Sequence, residues 1–281
     1  MASEEQFETT ITARNGWFDI NFRELWKYRD LVLLFVRRNF VALYKQTILG
    51  PAWAIIQPLL TTVVFTVVFG NLAGLSAKGT PSFLFFLSGT VAWGYFAGCL
   101  TQTANTFIGN VGILGKVYFP RLVMPISTVL TNVIPFIIQG VMFLIFLGYY
   151  FSKGVVTPNI YVLLTPLFVL HMALLGLGCG VIISALTIKY RDLAMLVGFG
   201  IQLWMYGTPV AYDINIVPAK YMDFYMLNPM TPIINNFRYA FLGLGEMNWY
   251  YYGISWLVTI VIFTLGVILF IRVEKSFMDT I

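Results

Sequence analysis

Six stretches of this chain are too apolar, over too great a length, to fold in water. They run at about residues 53–72, 83–108, 123–151, 160–186, 194–212 and 249–270. A helix needs about 20 apolar residues, at about 1.5 Å rise each, to cross about 30 Å of hydrocarbon. In lipid every backbone N–H and C=O must be satisfied within the segment, so runs of this kind become helices. Only 10% of the residues are charged, against roughly 25% in a soluble domain. The expected fold is an all-α polytopic membrane protein with six transmembrane helices. An N-terminal amphipathic interface helix precedes them, and re-entrant or short periplasmic helices lie between spans five and six. The expected division is an arm with the interface helix at 1–48, the six-span domain at 49–271 and a tail at 272–281.

From Phe22 to Lys45 the residues segregate by face. On a helical wheel Phe22, Leu25, Trp26, Val32, Leu33, Val36, Phe40 and Leu43 fall together, opposite Arg23, Lys27, Arg37, Arg38 and Lys45. The pattern predicts a helix lying in the membrane interface with its basic side toward anionic headgroups. A surface helix packed on its own protein produces the same pattern. The first 21 residues are polar, begin acidic, and lack the apolar core of a cleavable signal peptide. Gly50-Pro51 breaks the chain before the first span. Pro58 falls near the start of that span, where a helix tolerates proline best.

Charge sets the orientation. With six spans, both ends and the loops at 109–122 and 187–193 share one side, which holds 13 of the 17 Lys and Arg residues. The positive-inside bias places that side, and both termini, in the cytoplasm. It also accounts for the net charge of +5 without invoking nucleic acid. The fairly apolar stretch 224–244 is not read as a seventh span, because that would spoil the pairing of basic loops with one face. It also carries Pro229, Pro232, Asn235, Asn236 and Arg238. A single Arg at a helix centre costs about 2.5–3.5 kcal/mol, so short helices broken at the prolines are expected there.

Several chemistries are missing. The string GNVGILGKV looks like a phosphate loop, but Asn110 stands where the first glycine belongs and Val117 where a Ser or Thr would hold magnesium. The spans carry no Asp or Glu at their centres, which ion-coupled transport needs. Cys99 and Cys179 are isolated and His171 is the one histidine, so neither a disulfide framework nor a multi-His metal site is expected. His171 reads as a residue bonded to a neighbouring helix, with a proton relay as the rival. An enzyme of glycan assembly would need an outer acidic cluster, yet Asp213, Asp223 and Glu246 show no spacing that marks a shared site. What remains is a conduit with no catalytic residues and no metal, powered by another protein.

Two features offer binding surface. In Gly109–Pro125 the residues Val117, Tyr118 and Phe119 make an apolar ridge beside Lys116 and Arg121, interrupted by Pro120. The segment serves as a plain turn or, with the ridge exposed, as a grip for a soluble partner. Trp53, Trp93, Tyr95, Phe96, Trp204 and Tyr206 offer faces for sugar rings, and Gln57, Thr101, Gln102, Asn105 and Gln202 offer groups for hydroxyls. An anchoring belt at the bilayer interface, or core packing, accounts for the same residues.

The order of parts resembles a known family. A basic amphipathic helix leads into YKQTILGPAWAIIQPLL, KVYFPR follows the second span, and KYRDL follows the fourth. TPVAYD closes the fifth, and NPMTP precedes the sixth. Together these look like the permease subunit of an ABC-2-type exporter of cell-surface polysaccharides such as O-antigen, capsule or teichoic acid. The resemblance covers residues 22–275. It implies a homodimer in the bacterial inner membrane, paired with two cytoplasmic ABC ATPase subunits that use ATP and Mg, so the chain itself holds no cofactor. The implied cargo is a lipid-linked polysaccharide, with membrane lipids as the remaining partners. By position, Gly115, Lys116, Val117, Tyr118, Phe119, Pro120 and Arg121 would be the coupling helix seated in the ATPase. Arg23, Lys27, Arg37, Arg38, Lys189, Arg191 and Asp192 would face the cytoplasm. The stretch 217–244, with Pro229, Pro232, Asn235, Asn236 and Arg238, would form a periplasmic gate. Aromatic residues line the glycan channel in this family; Trp53, Trp93 and Trp204 are the first choices here, with Tyr95, Phe96, Gln102 and Tyr206 beside them.

Overall fold

The structure is a computed structural model and describes residues 22–45, 49–106, 109–110, 112, 119–189 and 193–278. Among them are ten α-helices and no strand. The helices are α1 (Phe22–Lys27), α2 (Arg29–Tyr44), α3 (Trp53–Phe65), α4 (Ser82–Ala104) and α5 (Val123–Ser152). They continue as α6 (Thr165–Lys189), α7 (Leu193–Tyr206), α8 (Ala219–Met226), α9 (Met230–Leu242) and α10 (Trp249–Met278). Five helical stretches among the described residues are long and apolar enough to cross a membrane: Gly50–Leu72, Ser82–Ala104, Val123–Ser152, Ile160–Thr187 and Trp249–Phe270.

The run expected to extend to residue 212 is helical only as far as Tyr206. Its 14 residues cover about 21 Å at 1.5 Å per residue. The chain then turns at Gly207 and reaches α8 through an irregular segment with one 3-10 turn, Ile214–Ile216. The break expected at Gly50-Pro51 is a 3-10 turn, Gly50–Ala52, with Gly50 in the left-handed region at φ 49°. Because helix α3 starts only at Trp53, Pro58 lies inside it; the helix continues in wider π-type turns over Thr66–Leu72.

Helix α4 is the central column. Of its membrane-length window 78% is buried inside the chain, against 11% for the window that contains α3. It packs along α6 and α5, with α3 and α9 on its other sides. Helix α6 is enclosed between α4 and α10, and three glycines make both contacts close. Residues four apart on a helix share a face, whereas a residue midway between them points away. Gly176 and Gly180 accordingly meet α4: a Cβ there would fall 2.7 Å from Cys99 Cβ and 2.6 Å from Thr103 Cβ. Gly178 meets α10, with an added Cβ 2.8 Å from Phe263 Cα. At these three positions no side chain larger than hydrogen fits.

Helix α2 packs along α5. Its inward residues are Val32 and Phe35, both buried, whereas Leu33, grouped with Val32 on the wheel, is exposed, as is Trp26 on α1. The helix therefore carries two apolar surfaces, one covered by its own chain and one left open.

Candidate functional site

The chemistry of the chain gathers at the two ends of α4, about 34 Å apart for 23 residues. At the N-terminal end stands Arg238, which α9 carries into the space between α4 and the segment after α7. The residue is 3% exposed. Its Nη1 donates to Pro209 O at 2.5 Å and its Nη2 to Val210 O at 2.8 Å. Longer contacts run to Phe85 O and Ser88 Oγ, both at 3.4 Å. The guanidinium also lies 3.7 Å over the Phe85 ring. A buried charge is tolerated only when paired or fully hydrogen-bonded; here oriented carbonyls and an aromatic face substitute for a counter-ion. Gly89 makes room for this arrangement, since a Cβ there would fall 2.7 Å from Arg238 Nη2 and 3.0 Å from Val210 O.

Asn228 ties the same region to α7. Its Nδ2 donates to Gly207 O at 3.1 Å and Thr208 Oγ1 at 2.9 Å. Its Oδ1 accepts from Trp204 Nε1 at 3.0 Å and from the Met230 backbone N–H at 3.2 Å. All four hydrogen-bonding positions of the amide are used. Tyr212 and Tyr225 share a hydrogen bond of 2.5 Å between their hydroxyls. Burial, reinforced by that bond, pushes the Tyr225 phenol up from its ordinary value. Ser255 Oγ of α10 donates to Pro229 O at 2.7 Å, closing the ring of attachments.

Beneath α8 and α9 lies a cavity of about 270 Å³. Phe85, Pro232, Asn236 and Arg238 form its buried floor, and Asn215 and Glu246 its exposed rim. Asp213 and Glu246 both line it, so two carboxylates with no legible relation in the sequence share one cavity. Asp223 stands close by, accepting a hydrogen bond from the hydroxyl of Tyr251, another lining residue.

The C-terminal end of α4 is joined differently. Phe35 of α2 meets Phe119 with ring centroids 5.7 Å apart. Arg38 lies over the Phe35 ring at 4.7 Å and its Nη2 donates to Asn110 Oδ1 at 2.9 Å. Partial burial lowers the Arg38 pKa through desolvation, although a guanidinium stays charged at physiological pH. Two residues before the end of α4, Gln102 forms a reciprocal amide pair with Asn132 of α5: Gln102 Nε2 donates to Asn132 Oδ1 at 3.0 Å, and Asn132 Nδ2 to Gln102 Oε1 at 3.1 Å.

This two-ended helical bundle matches a known membrane family: residues 30–242 fit the family described as ABC-2 type transporter. The chain belongs to the ABC-2 type transporter family. Among its relatives is the O-antigen export system permease protein RfbA of Klebsiella pneumoniae, 27% identical over 250 residues, which are 89% of this chain and 94% of that protein. RfbA of Myxococcus xanthus is 29% identical over 221 residues, 78% of this chain and 83% of that protein. Inner membrane transport permease YadH of Escherichia coli strain K12 is 23% identical over 217 residues, 74% of this chain and 80% of that protein.

In this ABC-2 chain the residues singled out from sequence separate into groups. Pro229, Pro232, Asn235, Asn236 and Arg238 come together on α9 and the residue before it, and all but Asn235 are buried. Trp93, Phe96 and Trp204 form one cluster inside the chain, with Trp204 5.1 Å from Phe96 and 6.2 Å from Trp93. Tyr95 points elsewhere, onto Phe136 of α5 at 4.9 Å. Trp53 and Tyr206 are exposed. In the loop, Phe119 and Arg121 are buried, so the ridge does not stand free of the chain at Phe119. Gly115, Lys116, Val117, Tyr118, Arg191 and Asp192 lie outside the described residues, as do the side chains of Arg23 and Lys189. Lys27 and Arg37 are exposed. His171 is bonded to Thr259 Oγ1 at 2.9 Å and stacked on Trp256 at 4.1 Å, both on α10. The sequence reading overlooked Phe35, Asn228 and Gly89; the dipeptide Asn228-Pro229, a turn signal, was the one available cue among them.

Proposed function

We propose that the chain is the membrane-spanning permease of an ATP-driven exporter that moves a lipid-linked polysaccharide of O-antigen type from cytoplasm to periplasm. One observation carries this reading: relatives named as O-antigen export permeases align with this chain over 94% and 83% of their length. In this reading α7, with the segment after it, makes the fifth of six crossings, and α1–α2 lie at the cytoplasmic interface. Both termini are cytoplasmic in the inner membrane, and two copies of the chain form the conduit. The ATPase is a separate cytoplasmic subunit present twice.

The loop at 115–121 takes the stroke of the ATPase, and the contact of Phe35 with Phe119 passes it to α2 and, through α5, to the bundle. Phe119 thus works from inside the chain, leaving Tyr118 and Lys116 as the residues that touch the partner. Helices α8 and α9 form the periplasmic gate, held against α4 by Arg238. Sugar contacts in the channel fall to the exposed Trp53 and Tyr206, with Trp93, Tyr95, Phe96 and Trp204 supporting the wall behind them.

Gentle purification of the tagged chain from native membranes, followed by mass spectrometry, tests the reading. A stoichiometric soluble ATPase is the expected companion. Its absence despite mild detergent and crosslinking sinks the proposal. In cells, Tyr118→Ala combined with Phe119→Ala is expected to abolish export while the protein remains inserted.

A further inference from the structure

We infer that the cavity beneath α8 and α9 is a binding site for a single sugar ring. The choice of ligand rests on the polysaccharide-export reading, but the site itself is built from what lines the cavity. Asn236 is 2% exposed, lines the cavity, and keeps its Nδ2 without a hydrogen-bond partner. A buried donor left unpaired costs about 1–3 kcal/mol. Arg238 is saturated by carbonyls and Asn228 uses all four of its positions, while Thr231 Oγ1 on the same helix is also left unpaired. Asn236 differs from Thr231 in lining the cavity, and an amide kept unsatisfied there is held ready for a ligand.

The rest of the lining restricts that ligand. Two carboxylates, Asp213 and Glu246, line the cavity against the single guanidinium of Arg238, whose donors are already taken up by carbonyls, so an anion is disfavoured. A metal ion finds too few ligands, since among the described residues no three His, Cys, Asp or Glu side chains come together. An apolar molecule would leave the Asn236 amide unpaired. A ligand is needed that accepts from an amide and donates to a carboxylate within a few ångströms, and vicinal hydroxyls on a ring do this. Asn215, Asn235 and Asn248 add further amides, and Tyr251 adds an aromatic ring. The volume of about 270 Å³ sits at the low end of the about 300–1,000 Å³ typical of small-ligand pockets. It accommodates one ring, not a chain. Asn215 and Glu246 at the mouth leave the site open to solvent.

The test uses the full chain with its copurified partner in lipid nanodiscs, free of glucoside and maltoside detergents. Saturation-transfer NMR is recorded with free glucose, galactose, mannose, rhamnose and N-acetylglucosamine, and with their methyl glycosides. At least one sugar is expected to receive saturation on its ring protons. Equal signals from free sugar and methyl glycoside assign the site to a residue within a glycan chain; a signal from the free sugar alone assigns it to a monosaccharide. Asn236→Leu is expected to reduce the signal by about tenfold while the thermal midpoint stays level or rises, because the variant removes an unpaired buried amide. Glu246→Gln, an exposed rim change that spares the core, is expected to weaken the signal by about threefold. Saturation from no sugar, or a signal unchanged in both variants, overturns the inference. Where Asn236→Leu fails to fold, an unchanged signal in Glu246→Gln decides against it. A chain that copurifies with an ATPase but binds no sugar loses this site and keeps the exporter reading; a chain that binds sugar without an ATPase does the reverse.

Discussion

The two ends of α4 are joined to their neighbours by different means. At the N-terminal end a charged side chain is buried and spread over several main-chain carbonyls, with Asn228 and Ser255 adding further bonds to fixed acceptors. At the C-terminal end Gln102 exchanges two amide bonds with Asn132 of α5, and the segment beyond α4 is held to α2 by one pair of phenylalanines and one hydrogen bond between Arg38 and Asn110. Bonds from a guanidinium to carbonyls are directional and are lost together when the geometry shifts. A ring contact is not directional and tolerates sliding. Under the proposed drive through the loop after α4, this asymmetry would let the driven end move through a range of positions while the far end changes between distinct states.

The largest effect is expected from Arg238→Met. It removes two charge-assisted bonds, each worth about 1.5–3 kcal/mol, and leaves the Pro209 and Val210 carbonyls buried and unpaired. The thermal midpoint in nanodiscs should fall further than for any other variant proposed here. Arg238→Lys should not restore it, because a point-like ammonium cannot reach both carbonyls and cover the Phe85 ring. Gly89→Ala should destabilise through the same joint, and its effect should shrink in the Arg238→Met background, where the clashing nitrogen is gone. Full additivity of the two changes would show that the lock is not a single unit.

At the other end, Phe35→Ala and Phe119→Ala should each cost less. An aromatic pair contributes about 0.5–1.5 kcal/mol beyond its buried area. Their signature is functional: ATP turnover by the assembled complex should persist while export falls, and the double variant should be no worse than either single one. Normal export in both single variants would remove the route from loop to α2. At the C-terminal end of α4 itself, Gln102→Leu or Asn132→Leu breaks the reciprocal amide pair. Interhelical hydrogen bonds inside membranes average about 0.6 kcal/mol and reach about 1.7, so the midpoint should shift modestly and equally for the two.

Much of this architecture could be read from the residues. The runs at 83–108, 123–151 and 249–270 are helical through most of their length because apolar composition over a bilayer's thickness leaves the backbone no other solution. Arg238 was recognisable as too costly for a lipid-facing span, and its carbonyl cage is the physical answer to that cost. Phe35 escaped because a helical wheel ranks faces by charge segregation, whereas the burial of Phe35 is decided by a ring 84 positions further along the chain. The meeting of Asp213 with Glu246 escaped for a related reason. It depends on how the chain folds back after Tyr206, and neither spacing nor periodicity encodes that. Asn228 entered only as the first residue of the NPMTP stretch, with no role of its own, since its four partners lie on both sides of the break.

The smallest effect belongs to the bond between Arg38 and Asn110. A cation over an aromatic ring at a partly exposed site contributes about 0.5–1 kcal/mol, and the single bond to a neutral amide adds a similar amount. Arg38→Ala should therefore lower the thermal midpoint only slightly, and Asn110→Ala less, since Arg38 keeps its ring contact and its bonds to Asn39. Salt separates this joint from a headgroup contact. Asn110 and Phe35 carry no net charge, so raising ionic strength should leave their interaction with Arg38 nearly unchanged, whereas attraction of Lys27 and Arg37 to anionic lipid should weaken. A double-mutant cycle across Arg38 and Asn110, repeated at low and high salt, measures this directly. A coupling energy that vanishes at high salt would mean that Arg38 serves the lipid surface and not the loop, and the joint between that segment and α2 would then rest on the Phe35–Phe119 pair.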